Sequence, residues 1–252
     1  MLLKLTSKAI TLAALAMLLS ACSHVTKDAV SVAPPNQADV AESEQNDFFV
    51  GWRHYPLPGK AATLYSLDRL DGRAALTAKA GSSASMMRSD VNIPAVQFDE
   101  VSFSWQVPQL IDTADLADRD ADDSPVRVVL VFEGDKKKFS AKNAMLSELA
   151  QVLTGEPLPY ATLMYVWCNK RPTGSVVMNP RTDRIRSIVV ESGKKNLRQW
   201  RDYKRKIHSD FEKAFGEAPG KLLSVAVMTD SDNTKTQISA AYGGVKLVKN
   251  KN

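Results

Sequence analysis

Apolar and polar residues alternate through Val101, Ser102, Phe103, Ser104, Trp105, Gln106 and Val107. That period of two predicts a half-buried strand. Residues 126–132 and 162–167 do not alternate. They are nearly all β-branched or apolar, which predicts central strands. Segments at 49–55, 74–78, 85–87, 185–191, 222–229 and 238–248 complete the strand set, with turn signals at Asp71-Gly72 and Gly81-Ser82-Ser83. Two helices interrupt it. Residues 141–153 carry Ala144, Met145, Leu149, Val152 and Leu153 at helical spacing, with Gly155 just beyond. The second begins at Ser209-Asp210-Phe211-Glu212, a capping-box pattern; Phe211 and Phe215 share a face and Gly216 suits the C-terminal cap. Many short strands, turn signals between them and few helices predict a mainly-β chain folded as a sandwich.

The first residues follow another pattern. Lys4 and Lys8 give a positive start, no acid precedes Asp28, and an apolar run fills 9–19. The run falls short of the roughly 20 residues a membrane-crossing helix needs, and it fits the apolar region of a signal peptide. Leu19-Ser20-Ala21-Cys22 ends it. These four residues resemble the lipobox of bacterial lipoproteins. The resemblance implies cleavage before Cys22, a lipid on that cysteine, and anchoring to the bacterial envelope. Ser23 in place of Asp leans the expectation toward the outer membrane, facing the periplasm. Residues 1–21 are therefore read as signal peptide and 22–47 as lipidated N-terminus and tether. The tether holds Pro34-Pro35 and no aromatic residue until Phe48; such a stretch buries too little to order itself, and as a coil it spans very roughly 25–30 Å. Residues 48–252 are the folded domain.

Composition narrows the partners. The formal charge is +5, and removing Lys4 and Lys8 lowers it to +3. A nucleic-acid binder wants a localised basic patch, and an envelope location argues against one; no nucleic acid is expected. Cys168 is the second of only two cysteines. With Cys22 lipidated no internal disulfide remains, and the domain must hold itself together by burial.

The chemistry-bearing residues are few. Asp230, Asp232 and Asn233 sit in a tight turn between two strands. Oxygen ligands at alternating positions can hold Ca²⁺, while Asp and Asn also favour turns for local backbone reasons. One loop supplies too few ligands, so a calcium site would recruit Asp122 or Asp123. No other cofactor is expected. Asp118-x-Asp120-x-Asp122 begins like an EF-hand loop and fails at its sixth position, Asp123, and its twelfth, Val129. A solvated acidic loop, with Asp122 or Asp123 pairing Arg127, is the other reading. Trp52, Trp105, Trp167 and Trp200 are the candidate sugar platforms. Trp105 is in phase with Phe103 and Trp167 lies in an apolar strand, so both point to the core; Trp52 and Trp200 are the exposed candidates. His24, His54 and His208 form no metal-ligand pair, there is no nucleophile elbow, and no catalytic residue is assigned. The basic stretch Lys194, Lys195, Arg198, Arg201, Lys204, Arg205 and Lys206 reads as a solvated edge strand.

Taken in order, Asp122-Asp123 before Arg127, Tyr165-Val166-Trp167, Ser192-Gly193, Trp200, Asp210-Phe211, Phe215-Gly216, Asp230-Ser231-Asp232-Asn233-Thr234 and Ala241-Tyr242-Gly243 resemble the bacterial domain family DUF3047. The resemblance covers most of 48–248. It implies a jelly-roll-like antiparallel β-sandwich with one or two short helices, of the kind found among carbohydrate-binding modules, and no activity that can be transferred. Three functions remain open: a glycan-binding module, an envelope glycan hydrolase using two carboxylates, and a structural protein that meets another envelope protein.

Overall fold

The computed structural model describes residues 47–249. Cys22 and the expected signal peptide and tether lie outside the described residues. After a 3₁₀ turn at Asp47–Phe49, twelve strands and two helices follow: β1 Arg53–Pro56, β2 Leu64–Leu70, β3 Arg73–Gly81, β4 Ala84–Ile93, β5 Phe98–Gln106, β6 Ser124–Phe132, α1 Ala141–Thr154, β7 Ala161–Cys168, β8 Val176–Met178, β9 Ile185–Ser192, β10 Arg201–Lys206, α2 Ile207–Phe215, β11 Leu222–Asp230 and β12 Gln237–Lys249.

The strands form a seven-stranded sheet, β1-β4-β11-β6-β7-β9-β8, and a five-stranded sheet, β10-β5-β12-β3-β2. This is the expected jelly-roll-like β-sandwich, antiparallel except that β7 and β9 run parallel. A parallel neighbour needs a long crossover, and residues 169–184, with β8 among them, supply it. β8 then pairs antiparallel with β9 at the sheet's edge.

The core lies between the sheets. Alternation along β5 sends Val101, Phe103 and Trp105 inward, all buried, and leaves Ser102 and Ser104 half-exposed. Phe103 stacks on Tyr165 of β7 at 5.5 Å, which joins the two layers. Val128 and Leu130 of β6 and Leu163 of β7 complete the inner face. Trp167 is core too, its indole N–H donating to the Gly193 carbonyl at 3.0 Å.

Several local expectations shift. β2 escapes the sequence pattern because it is an edge strand carrying Asp68 and Arg69, paired only with β3 and mostly exposed. The early segment at 49–55 resolves into the 3₁₀ turn and the short β1. α2 begins at Ile207, so Ser209 of the supposed capping box lies inside the helix; Asp210 is buried, paired to Arg205 and accepting from the Tyr165 hydroxyl at 3.0 Å. Both helices end as expected, on Gly155 and Gly216 in left-handed backbone that suits glycine.

Candidate functional site

The central strands of the seven-stranded sheet are apolar on both faces. Every residue of β7 is buried, as are all but one of β6 and of β11. Antiparallel sheets usually keep one face wet. Here a second cluster, separate from the core, covers the outer face: Val129, Met164, Val166, Ala226 and Met228, with Met86, Ile185 and Leu57 packed against it. Leu116, from the long loop between β5 and β6, closes one end of this face.

The rest of the outer face is a cleft of about 630 Å³. Its floor is Met86, Val129, Met164, Ile185, Ala226 and Met228. One wall is the segment around Leu57 and Lys60; another is α1 and the chain that follows it, through Ala150, Thr154, Leu158 and Tyr160. α1 is fastened at both ends by polar contacts. Near its start, buried Asn143 donates to Asp183 at 2.5 Å and accepts from the Thr182 hydroxyl at 2.8 Å, beside β9. Just past its end, Glu156 accepts from Arg88 of β4 at 2.8 Å. From β9 to β4 is four strand spacings, roughly 19 Å. A 14-residue helix spans about 21 Å, so α1 is the length needed to strap the cleft.

The other end of the cleft is polar. Arg127 is buried and reaches Asp230 at 3.1 Å and Asp122 at 3.0 Å. Asp122 also accepts from the Asn179 side chain at 2.7 Å. Asp123 accepts from the Thr234 amide at 2.7 Å, its hydroxyl at 2.6 Å and the Asn233 amide at 3.2 Å. Asp232 pairs with Lys60, and Asn233 donates to the Asp122 carbonyl at 3.1 Å. Burial, together with the charges of Asp123 and Asp122, pushes the Asp230 carboxyl up to about 7 although Arg127 opposes it. Against the pull of burial, Asp230 and Asp122 hold the Arg127 guanidinium well above its ordinary value.

The five residues named for calcium from the sequence thus converge. Asp123, Asp230 and Asp232 bring one carboxylate oxygen each within 4.8 Å of one another. Each carboxylate also has protein donors of its own, so the network performs the pairing foreseen for Asp122 and Arg127. It ties the β5–β6 loop to the β11–β12 turn. In the rest of the acidic loop Asp112, Asp118 and Asp120 are exposed, and Asp115 is half-buried and paired to Arg171 at 2.5 Å.

Trp52 and Trp200 lie elsewhere and do not border the cleft. Trp52 is half-buried, edge-on to Phe49 at 5.0 Å. Trp200 is half-buried under Arg73 at 5.4 Å and donates to the Leu70 carbonyl at 3.3 Å. Two tyrosines do border the cleft. Tyr160 stacks on Phe139 at 6.0 Å with Arg184 4.6 Å from its ring; Tyr55 has Arg88 over its ring at 4.8 Å. Met86, Met164 and Met228, the centre of the floor, were not singled out from the sequence. The available signal was the second apolar face of 126–132, 162–167 and 222–229. The basic strand β10 is a paired edge, with Arg201 on Glu191 and Arg205 on Asp210.

Residues 50–246 match the family described as "Protein of unknown function (DUF3047)". The chain belongs to the DUF3047 family. No curated protein sequence gives a significant match to this DUF3047 chain. Among solved structures it is similar to the xyloglucanase domain of NopAA from Sinorhizobium fredii, at 9% identity over 79% of this chain and 93% of that one, with a TM-score of 0.42. It is also similar to a family 11 carbohydrate-binding module of a cellulosomal cellulase from Clostridium thermocellum, at 8% identity over 79% and 88%, TM-score 0.38. A carbohydrate-binding module specific for non-crystalline cellulose matches at 12% identity over 78% and 86%, TM-score 0.37. Scores this low carry no information on what the DUF3047 cleft holds.

Proposed function

We propose that this protein is a binding module, held to the bacterial envelope by lipid on Cys22, that seats an elongated amphiphile in the cleft on its larger sheet. The observation that carries the reading is the cleft's floor. Three methionines, a valine, an isoleucine and an alanine present a hydrocarbon surface where an antiparallel sheet is normally wet. Methionine is flexible and polarizable and fits irregular apolar ligands. The volume, about 630 Å³, falls among those of small-molecule sites. Polar groups at the Arg127 end and at Arg88 and Glu156 would orient a ligand's head. The carboxylates at the polar end are engaged by Arg127, Lys60 and backbone amides, which favours binding over catalysis. The lipid on Cys22 and the outer-membrane location rest on the leader's sequence.

A glycan is the second reading, favoured by the hydrogen-bonding groups around the cleft. It is weakened by Tyr160, whose ring is already engaged by Phe139 and Arg184.

The test is thermal unfolding of the protein with a long-chain fatty acid, and in parallel with oligosaccharides from envelope and plant polysaccharides. A ligand at 100 times its dissociation constant adds about 2.7 kcal/mol, or roughly 5–10 °C for a domain of this size. A shift with the fatty acid alone supports the amphiphile. A shift with an oligosaccharide alone overturns it in favour of the glycan. No shift with either removes the cleft as a binding site for these classes.

A further inference from the structure

α1 presents an apolar stripe that nothing in the domain covers. Met145, Leu149, Val152 and Leu153 recur at helical spacing, and their exposures are 63%, 52%, 81% and 59%. Residues on the opposite side face the body: Asn143 is buried, and Ala150 and Thr154 border the cleft. The direction is therefore set by the straps at Asn143 and Glu156, and the apolar face is turned outward. Four such side chains side by side are not the scattered exposure that surfaces tolerate.

Basic charge gathers at the N-terminal end of the stripe, beside Asp135. Lys136, Lys137 and Lys138 form an exposed turn immediately before the helix, and Lys142 is in its first turn. Lys138 pairs with Glu217 at 3.2 Å; Lys136, Lys137 and Lys142 form no ion pair among the described residues. Glu148 is the single acid within the helix. An apolar helical face bordered by lysines is the arrangement that lies in a membrane interface, where hydrocarbon burial and attraction to anionic headgroups act together.

We propose that α1 is a membrane-docking face: Met145, Leu149, Val152 and Leu153 settle into the interfacial layer of an anionic bilayer while Lys136, Lys137 and Lys142 meet its phosphates. The proposal does not depend on the cleft's ligand. It commits to a lipid surface rather than a protein partner because three unpaired lysines match a field of phosphates. It would hold the domain with the strapped side of its larger sheet against the membrane.

The experiment places an environment-sensitive fluorescent amino acid at position 152, or at position 204 on β10 as a control, in the full chain. The chain is reconstituted with vesicles of phosphatidylcholine alone or mixed with phosphatidylglycerol, each carrying a lipid-borne quencher. Any N-terminal anchor is common to all samples. The expected result is quenching at 152 about threefold or more above that at 204 on anionic vesicles, fading at high salt and with Lys136→Glu/Lys137→Glu. The lysine variants leave every buried contact of the domain in place, so loss of quenching in them reads docking and not unfolding. Equal quenching at 152 and 204 overturns the proposal. Protection of position 152 that needs no anionic lipid, and that a second copy of the chain confers in solution, overturns it in favour of a protein interface.

Discussion

The two sheets share a core and differ on their outer faces. On the five-stranded sheet Thr77, Lys79, Ser102, Ser104, Ser239 and Lys246 face outward and are partly or fully exposed, while Ala75, Gln106 and Ala241 on the same face are buried. On the seven-stranded sheet the corresponding positions are Met86, Val129, Met164, Ala226 and Met228. Backbone pairing is equally satisfied by either chemistry, so the fold does not require the second. The smaller sheet's outer face carries mostly polar side chains with Trp200 packed against Gly243; the larger sheet's outer face is hydrocarbon.

Four experiments press on that contrast. The largest effect is expected at the polar end. Arg127→Met leaves Asp122 and Asp230 buried without their partner, and breaking such a pair costs about 3–5 kcal/mol; urea unfolding measures it. Next come two adjacent positions on β6. Leu130 faces the core at 0% exposure, and Leu130→Ala is expected to cost roughly 2–5 kcal/mol. Val129 faces the cleft, where the space left by Val129→Ala joins an existing opening, so its cost is expected to stay under about 1 kcal/mol. Equal costs would make the outer face ordinary core. Third, Met86→Gln changes stability by less than about 1 kcal/mol but abolishes the thermal shift given by the fatty acid. A retained shift would move the ligand off this floor.

The smallest effect is a slope with pH. Asp230 titrates at about 7 in the fold against an ordinary 3.8. Its folded value is the higher one, so the folded chain holds an extra proton between those limits. The stabilisation is present in acid and is lost as pH rises through about 7. Asp230→Asn should flatten that part of the stability profile, followed by urea midpoints across the range.

Much of the fold was legible because its determinants are local. The alternation of Val101–Phe103–Trp105 named both the strand and its inward face. The apolar runs at 126–132 and 162–167 named central strands. What they did not reveal was that the second face stays partly open, because that depends on which segments cover it. α1 shows the same limit. Periodicity found the helix and its stripe, but Asn143 and Glu156 fix which way the stripe turns, through partners 40 and 68 residues away in the chain. Trp52 and Trp200 sit among polar neighbours in sequence, yet Phe49, Arg73 and the Leu70 carbonyl take them up. The aspartates named from two loops lie together in the fold. The pairing of Asp122 with Arg127 was legible; that Asp230 shares this arginine, and that Asp232 meets Lys60 and Asp123 meets Thr234, emerges only when separate segments meet.

The position of β12 has a consequence for how the chain is made. It is the last strand in sequence, and it lies between β5 and β3 in the middle of the five-stranded sheet. Until it leaves the ribosome, β3 and β5 have no bridge between them and one layer of the sandwich cannot assemble. Pairings over such sequence distances form slowly. The smaller layer therefore closes only after β12 has been made, and the segments made before it wait without their central partner.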